Sequence, residues 1–281
     1  MKVAVASGKG GTGKTTVATS LALSWGDAAL LDCDVEGPNA HLLLHPEIAA
    51  SYEVTVPVPR VREELCAHCG ECAGFCRYHS LAVLSRQWMV FDELCHSCGG
   101  CSLVCPTKAI FEFPRRIGRV IEGRRAEIPF VQGILDEGEA QAIPVIRAVL
   151  RRASDDRDVI LDSPPGASCS MLAVAEASDV VLLVTEPTPF GLHDLEAAAT
   201  AVSELGRPMA AVINRADWGD SRVRRFCAAK GIPVALEIPH LRKAAEGYAR
   251  AQPLVESVPG LRDDFVALRD QLRALAREAA A

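Results

Sequence analysis

The sequence predicts an α/β protein: a doubly wound, mostly parallel sheet, interrupted by a small α+β insert. Three observations predict it. The chain opens on an apolar strand, a glycine-rich loop and a helical stretch. Short apolar runs then alternate with longer amphipathic ones, the pattern of strands joined by crossover helices. Eight of the eleven cysteines fall in two near-identical strings between Cys66 and Cys105, where that alternation stops.

Lys2–Ser7 is the first strand, and Gly8-Lys9-Gly10-Gly11-Thr12-Gly13-Lys14-Thr15 follows at once. Thr16–Trp25 then carries a helical pattern. Strand, G-x4-G-K-T, helix is a P-loop in its required context. Gly8, Gly10, Gly11 and Gly13 let backbone N–H groups, those of Thr12 and Thr16 included, converge on phosphate oxygens. The helix N-terminus adds a favourable dipole. The motif assigns Lys14 to the β and γ phosphates and the Thr15 hydroxyl to Mg²⁺.

Further strands are expected at Ala28–Asp32, Val159–Asp162, Val180–Thr185, Met209–Asn214 and Val234–Ile238. Helices are expected near Ile143–Arg152, Asp194–Leu205, Ser221–Lys230, Leu241–Ala249 and Leu261–Ala279. Two buried-strand patterns end in acids, at Asp32–Asp34 and at Asp162. The C-terminal ends of strands are where open α/β sheets bind ligands. Asp32 reads equally as a site residue or as a structural hydrogen-bond acceptor.

The cysteine strings are Cys66-x2-Cys69-x2-Cys72-x3-Cys76 and Cys95-x2-Cys98-x2-Cys101-x3-Cys105-Pro106. This is the bacterial two-cluster [4Fe–4S] spacing, in which the fourth cysteine of each string ligates the other cluster. One cluster is thus assigned to Cys66, Cys69, Cys72 and Cys105, the other to Cys95, Cys98, Cys101 and Cys76. Structural zinc prefers two separated pairs of ligands, and disulfides need an oxidising compartment. Arg77 stands where the second string has Pro106, which leaves room for an altered geometry at Cys76. The insert is an internal repeat: Glu63–Cys66 is echoed by Phe91–Cys95, and Tyr78–Val83 by Thr107–Phe111. Pro57 and Pro59 mark its entry, Pro114 its exit. The expected organisation is 1–59 and 114–281 for the two parts of the P-loop domain, and 60–113 for the insert. A body this small would be held together by its clusters.

Of 281 residues, 49% are hydrophobic, enough for a substantial core, and the net charge is −6. An acidic balance argues against a dedicated nucleic-acid surface. No run of about 18 apolar residues is present, so no transmembrane helix or stable membrane association is expected. Met1–Ala6 is too short for a signal-peptide core, which makes the cytoplasm the expected compartment. Two of the six lysines, Lys9 and Lys14, lie in the glycine loop; elsewhere positive charge is mostly arginine.

Lys9-Gly-Gly-Thr-Gly-Lys14-Thr resembles the deviant Walker A motif of the MinD/ParA and nitrogenase-iron-protein class. Asp34-Val-Glu-Gly-Pro-Asn39 resembles that family's first switch, and Asp162-Ser-Pro-Pro-Gly166 its second. The whole chain resembles a MinD-superfamily P-loop NTPase, of the ATPase kind, with an inserted α+β bacterial-type 2[4Fe–4S] ferredoxin domain; Phe130–Glu139 and Thr185–Asp194 add to the likeness. The resemblance implies that Lys9 reaches across a homodimer to the partner's nucleotide. It implies that Asp34 orients the attacking water or responds to Mg²⁺, and that Asp162 holds Mg²⁺ through water. Gly166 would sense the γ-phosphate. Asn214, ending the strand Met209–Asn214, would read the adenine edge, favouring ATP.

The expected function is an ATP-hydrolysing iron–sulfur protein, dimerising on ATP and coupling nucleotide state to electron transfer toward a redox partner. An iron–sulfur assembly or carrier ATPase of the Mrp type, delivering to an apo-acceptor, is the alternative; no C-x-x-C pair follows Cys105 to support it. A partitioning or positioning ATPase is a third reading. Cys33 and Cys227 read as packing residues. Cys169 reads as packing, a switch-linked thiol or a ligand of a further cluster. The arginines at 115, 116, 119, 124 and 125 read as a solvated face or as a dock for an acidic partner. His68 and His96, between the cysteines, read as exposed filler or as tuners of cluster potential.

Overall fold

A computed structural model describes residues 1–84 and 87–280. In chain order the elements run β1 (Lys2–Ala6), α1 (Lys14–Trp25), β2 (Ala29–Asp32), α2 (Ala40–Leu44) and β3 (Glu47–Val61). The cysteine strings follow with α3 (Glu71–Phe75), β4 (Leu81–Leu84), β5 (Gln87–Val90) and α4 (Gly100–Val104). Then come β6 (Ile110–Arg125), β7 (Ile128–Leu135), α5 (Ala142–Leu150), β8 (Val159–Asp162), α6 (Cys169–Glu176) and β9 (Val180–Thr185). The chain ends with α7 (Pro189–Glu204), β10 (Met209–Asn214), α8 (Arg222–Lys230), β11 (Val234–Ile238), α9 (Arg242–Tyr248), α10 (Leu254–Ser257) and α11 (Arg262–Ala280).

Among the described residues the main sheet has the order β11-β10-β9-β1-β8-β2-β7-β6-β3. It is parallel from β11 to β7; β6 runs antiparallel to β7, and β3 antiparallel to β6. The central strands are apolar without alternation because both faces are covered. Successive residues point to opposite faces. Val3, Val5 and Leu30 therefore share one buried layer with Leu21 of α1 and Phe265, Leu268 and Leu272 of α11. Ala4, Ala6 and Leu31 share the other with Ile146 of α5, Val174 of α6 and Leu195 of α7. The expected C-terminal helix is thus a packing element: Trp25 Nε1 donates to the Phe265 carbonyl at 2.9 Å.

The six expected strands are present as β1, β2, β8, β9, β10 and β11, but β3, β6 and β7 were not expected. β3 and β6 form a long antiparallel ribbon, pairing from Glu47↔Arg124 to Val61↔Ile110. Prolines concealed it, since Pro57 faces Pro114 and Pro59 faces Glu112 in register. Proline is tolerated there because β3 is an edge strand and β6 has no second partner beyond Gly118. The cysteine-rich segment sits at the tip of this ribbon. The expected boundaries at 60 and 113 fall inside β3 and β6, so the ribbon itself joins the two parts. A small cluster of Cys72, Leu81 and Ile110, with Val83, Trp88 and Val90 around it, is the segment's own core.

Candidate functional site

The loop Ser7–Gly13 leaves the C-terminal end of β1 in the middle of the sheet. Gly11 (φ 83°) and Gly13 (φ 96°) take left-handed conformations that only glycine adopts freely, and Gly13 caps α1. Gly8 is needed for space: a Cβ there would overlap the backbone carbonyl of Asp194 in α7. The loop opens on a cavity of about 630 Å³ lined by residues 9–11, 13–16, Asp34, Asn39 and Asn214. That volume lies within the usual range of about 300–1,000 Å³ for small-molecule sites. Gly8, Thr12, Asp162 and Gly166 are not among its lining residues.

Lys14 is the first residue of α1 and only 7% exposed. Its Nζ lies 3.1 Å from Asp162 Oδ1 and 3.8 Å from Asp34 Oδ2. Burial pulls its pKa down, but the carboxylates of Asp162 and Asp34 outweigh this and hold it above the ordinary lysine value. Asp32 and Asp162 are register partners on β2 and β8. Asp32 accepts from the backbone N–H groups of Asp34, Asn39 and Ala40 at 3.0–3.1 Å, so its role is to fold the switch-like segment back over β2. Burial, then Asp162, pushes the Asp32 carboxyl well up. Asp34 is raised to about 6, chiefly by burial against the opposing pull of Lys14.

Three buried side-chain oxygens around this pair have no hydrogen-bond partner among the described residues: Asp162 Oδ2, Thr12 Oγ1 and Asn39 Oδ1. Orphaned polar atoms are costly and ask for a ligand, an ion or water. Asn39 had no assigned role from sequence; it lines the cavity from the end of the first switch-like segment. The apolar end of the cavity, formed by Ile238, Pro239, Leu241 and Tyr248, was also missed. No local motif marks it. Asn214 Nδ2 donates to the Thr12 carbonyl at 2.8 Å and its Oδ1 accepts from the Arg215 N–H at 3.0 Å. One Nδ2 hydrogen remains for a ligand. The Gly166 N–H donates to the Ser7 carbonyl at 2.9 Å, docking its loop on the P-loop.

At the ribbon tip the eight string cysteines divide between two cavities. Cys66, Cys69, Cys72 and Cys105 line one. Cys76, Cys95, Cys98 and Cys101 line the other, with Pro57 and Pro59 of β3. Each quartet contains three cysteines of one string and the fourth of the other. The Cys76 sulfur lies 3.2 Å from the Ser80 hydroxyl, and the Ala109 and Ser97 N–H groups donate to the Cys105 and Cys95 sulfurs at 3.3 and 3.4 Å. Burial raises the Cys76 and Cys105 thiols, but hydrogen bonds from Ser80 and from Thr107, with nearby backbone N–H groups, hold both below the ordinary value. Among the described residues no three His, Cys, Asp or Glu groups converge as ligands of a single metal ion. His96 is exposed and stacks on Tyr78 at 3.6 Å, one ring from each repeat.

Cys33 and Cys227 are fully buried, and Cys169 is exposed at the start of α6. The arginine stretch is largely neutralised. Arg115 pairs with Glu139, Arg116 with Asp136 and Glu53, and Arg125 with Glu256. That favours the solvated-face reading over a dock. No helix among the described residues is long and apolar enough to cross a membrane.

A glycine loop at the C-terminal edge of a parallel sheet, backed by a buried lysine–aspartate pair, defines a P-loop nucleotide-binding protein. The chain belongs to the CobQ/CobB/MinD/ParA nucleotide-binding domain family, which matches residues 3–254. It is 27% identical over 266 residues to the uncharacterized protein MJ0579 of Methanocaldococcus jannaschii, covering 91% of this chain and 92% of that one. It is 31% identical over 199 residues to MJ0578 of the same organism, covering 69% and 70%. Its fold is similar to the septum site-determining protein MinD complexed with Mg-ADP from Pyrococcus horikoshii. The TM-score is 0.58 at 17% identity, covering 99% and 98% of the two chains. It is also similar to a variant of Cyanothece McdA in complex with ATP, with TM-score 0.56 at 18% identity over 96% and 95%.

Proposed function

We propose that the chain binds and hydrolyses Mg-ATP as a homodimer and couples its nucleotide state to electron transfer through two [4Fe–4S] clusters. The clusters belong to an inserted ferredoxin domain over residues 60–113, between ATPase parts 1–59 and 114–281. The observation that carries this reading is the division of eight cysteines into two four-thiol cavities on a ribbon that grows out of a P-loop sheet.

The nucleotide site fits its expected ligands. The family membership and the likeness to folds described with Mg-ADP and ATP support them. Lys14, released from Asp162 and Asp34, would take the β and γ phosphates. The Thr15 hydroxyl and the unpartnered Asp162 Oδ2 offer the hard oxygen donors that Mg²⁺ takes. Asp34, beside them, would hold the attacking water. The spare Nδ2 hydrogen of Asn214 would meet the adenine edge, and Gly166 would exchange its Ser7 partner for the γ-phosphate. Lys9 lies half-buried at the cavity rim, where it would reach a partner's nucleotide. A cation placed on a transferring phosphoryl group in this way is worth about 10³–10⁵ in rate.

The cysteine cavities also fit. Four thiols that share a cavity without meeting at one point suit a polynuclear cluster, in which each iron takes one thiolate. N–H donors aimed at the sulfurs stabilise the ligating thiolates. When bound, the clusters supply one-electron redox chemistry. Tyr78 and His96, stacked on one another at the surface, both line the cavity of the Cys95 quartet.

Anaerobic purification tests the reading. About eight irons and eight sulfides per chain are expected, with Mg-dependent ATP hydrolysis and an ATP-dependent dimer that is lost in Lys9→Ala. Iron that stays with the protein in the presence of an apo-acceptor separates this reading from cluster delivery. Absence of iron, or of ATP binding, rejects it.

A further inference from the structure

The two cysteine quartets are not equivalent in their attachment to the nucleotide site. Cys95 shares the main buried core with Val35, Val56, Val58, Ile117 and Ala142. No other string cysteine does. The Cys66 quartet packs on Val83, Trp88 and Ile110 at the ribbon's tip, in a small core that Cys76 and Cys101 of the other quartet share.

Three short links join Asp34 to Cys95. Val35, next to Asp34, accepts at its carbonyl from the Leu135 N–H at 2.9 Å. Its side chain lies directly on Gly133 of β7, where a Cβ would come within 2.6 Å of Val35 Cγ1. The loop 136–141 then leads from β7 to α5. It is fastened to β6 by the Asp136 N–H on the Ile117 carbonyl, by Arg116–Asp136 and by Arg115–Glu139. At its end Gln141 does not cap α5 with its side chain; its Nε2 donates to the Cys95 carbonyl at 2.7 Å. The loop is thus held at both ends and in its middle, and at the other end of these contacts Asp34 lies 3.8 Å from Lys14 Nζ. Contiguity by itself is not coupling; coupling needs a measured bias between sites.

We propose that Gln141 is a positioning residue that makes the Cys95, Cys98, Cys101 and Cys76 quartet the nucleotide-responsive one, while the Cys66, Cys69, Cys72 and Cys105 quartet has no such link to the nucleotide site. This rests on the two-cluster reading above and adds the identity of the coupled site.

The test uses full-length anaerobic protein, with iron content and binding of a non-hydrolysable ATP analogue measured on the same sample. EPR-monitored redox titrations are run with and without analogue and Mg²⁺. One of the two potentials shifts, by about tenfold in its equilibrium or more, about 59 mV for a one-electron couple. It is the potential whose signal is altered in Cys98→Ser. Hydrogen exchange changes over residues 91–101 and 136–141 but not over 63–72. Gln141→Glu keeps the side chain's shape and removes the donor. In that variant the shift falls below about threefold while analogue affinity stays within about twofold. Equal shifts at both clusters, no shift in an iron-loaded and analogue-binding sample, or a full shift in Gln141→Glu overturns the proposal. A sample lacking iron or analogue binding instead overturns the reading on which it rests.

Discussion

Lys14 Nζ sits 3.1 Å from one carboxylate oxygen of Asp162, while the other oxygen of the same group is buried with no partner. The ion pair is therefore half of a larger arrangement, completed by what enters the cavity. Asp162→Asn preserves the shape but removes the anionic donor. It should lower Mg-dependent ATP hydrolysis by about 100-fold or more, about 2.7 kcal/mol, and leave Mg-free nucleotide binding intact. Lys14→Met leaves Asp162 and Asp32 buried without their cation, a defect of about 3–5 kcal/mol. Denaturant unfolding should show that loss at pH 8 and part of it recovered at pH 5, as Asp32, whose carboxyl burial already pushes well up, takes up a proton.

Asp34 supplies a pH signature of the nucleotide-free state. Burial raises it from the ordinary 3.8 to about 6. Between about pH 4 and 6 the folded chain keeps a proton that the unfolded chain has lost. Stability therefore falls as pH rises through that interval, and the penalty is complete above about pH 6. The full difference is about 3 kcal/mol, reduced to about 1–2 at a partly open site. Asp32, raised in the same direction, adds to it. Asp34→Asn should stabilise the nucleotide-free protein at pH 7.5 and flatten the slope between pH 4 and 6. Melting temperatures of the two proteins across that range check both expectations.

Gly8 and Gly10 separate two uses of glycine within one loop. A side chain at Gly8 would overlap the Asp194 carbonyl, whereas one at Gly10 would meet nothing within 4 Å. Gly8→Ala should cost about 1–3 kcal/mol as overpacking, at about 2–4 °C per kcal/mol. Gly10→Ala should leave the nucleotide-free melting temperature unchanged. Equal melting temperatures for the two variants would mean that α7 does not hold the loop.

The same contrast shows what the sequence reveals. Lys14, Asp162 and the central strands are legible because a P-loop and an unbroken apolar strand are local patterns. The Gly8–Asp194 approach joins residues 186 apart in the chain, and no local pattern encodes it. β3 and β6 stay hidden because their prolines and arginines resemble linker, although an edge ribbon accepts both. Asp32 and Asp162 look alike in sequence. Only the structure separates them: three N–H groups donate to Asp32, whereas Asp162 Oδ2 has no partner among the described residues. Gln141 carries no signal at all, since a glutamine before a helix is ordinary until its amide is seen on Cys95.

Ligand sharing between the cysteine strings can be tested by pairs of substitutions. Cavity membership puts Cys105 with Cys66, and Cys76 with Cys95. If each quartet holds one cubane, Cys66→Ala and Cys105→Ala injure the same cluster. The double variant then retains about four irons, no fewer than either single one. Cys95→Ala with Cys105→Ala injures both, and iron falls toward zero. Had each string held its own cluster, the two double variants would exchange their iron contents. The cycle thus reads connectivity from non-additivity, independently of any nucleotide, and anaerobic iron and sulfide analysis is enough to score it.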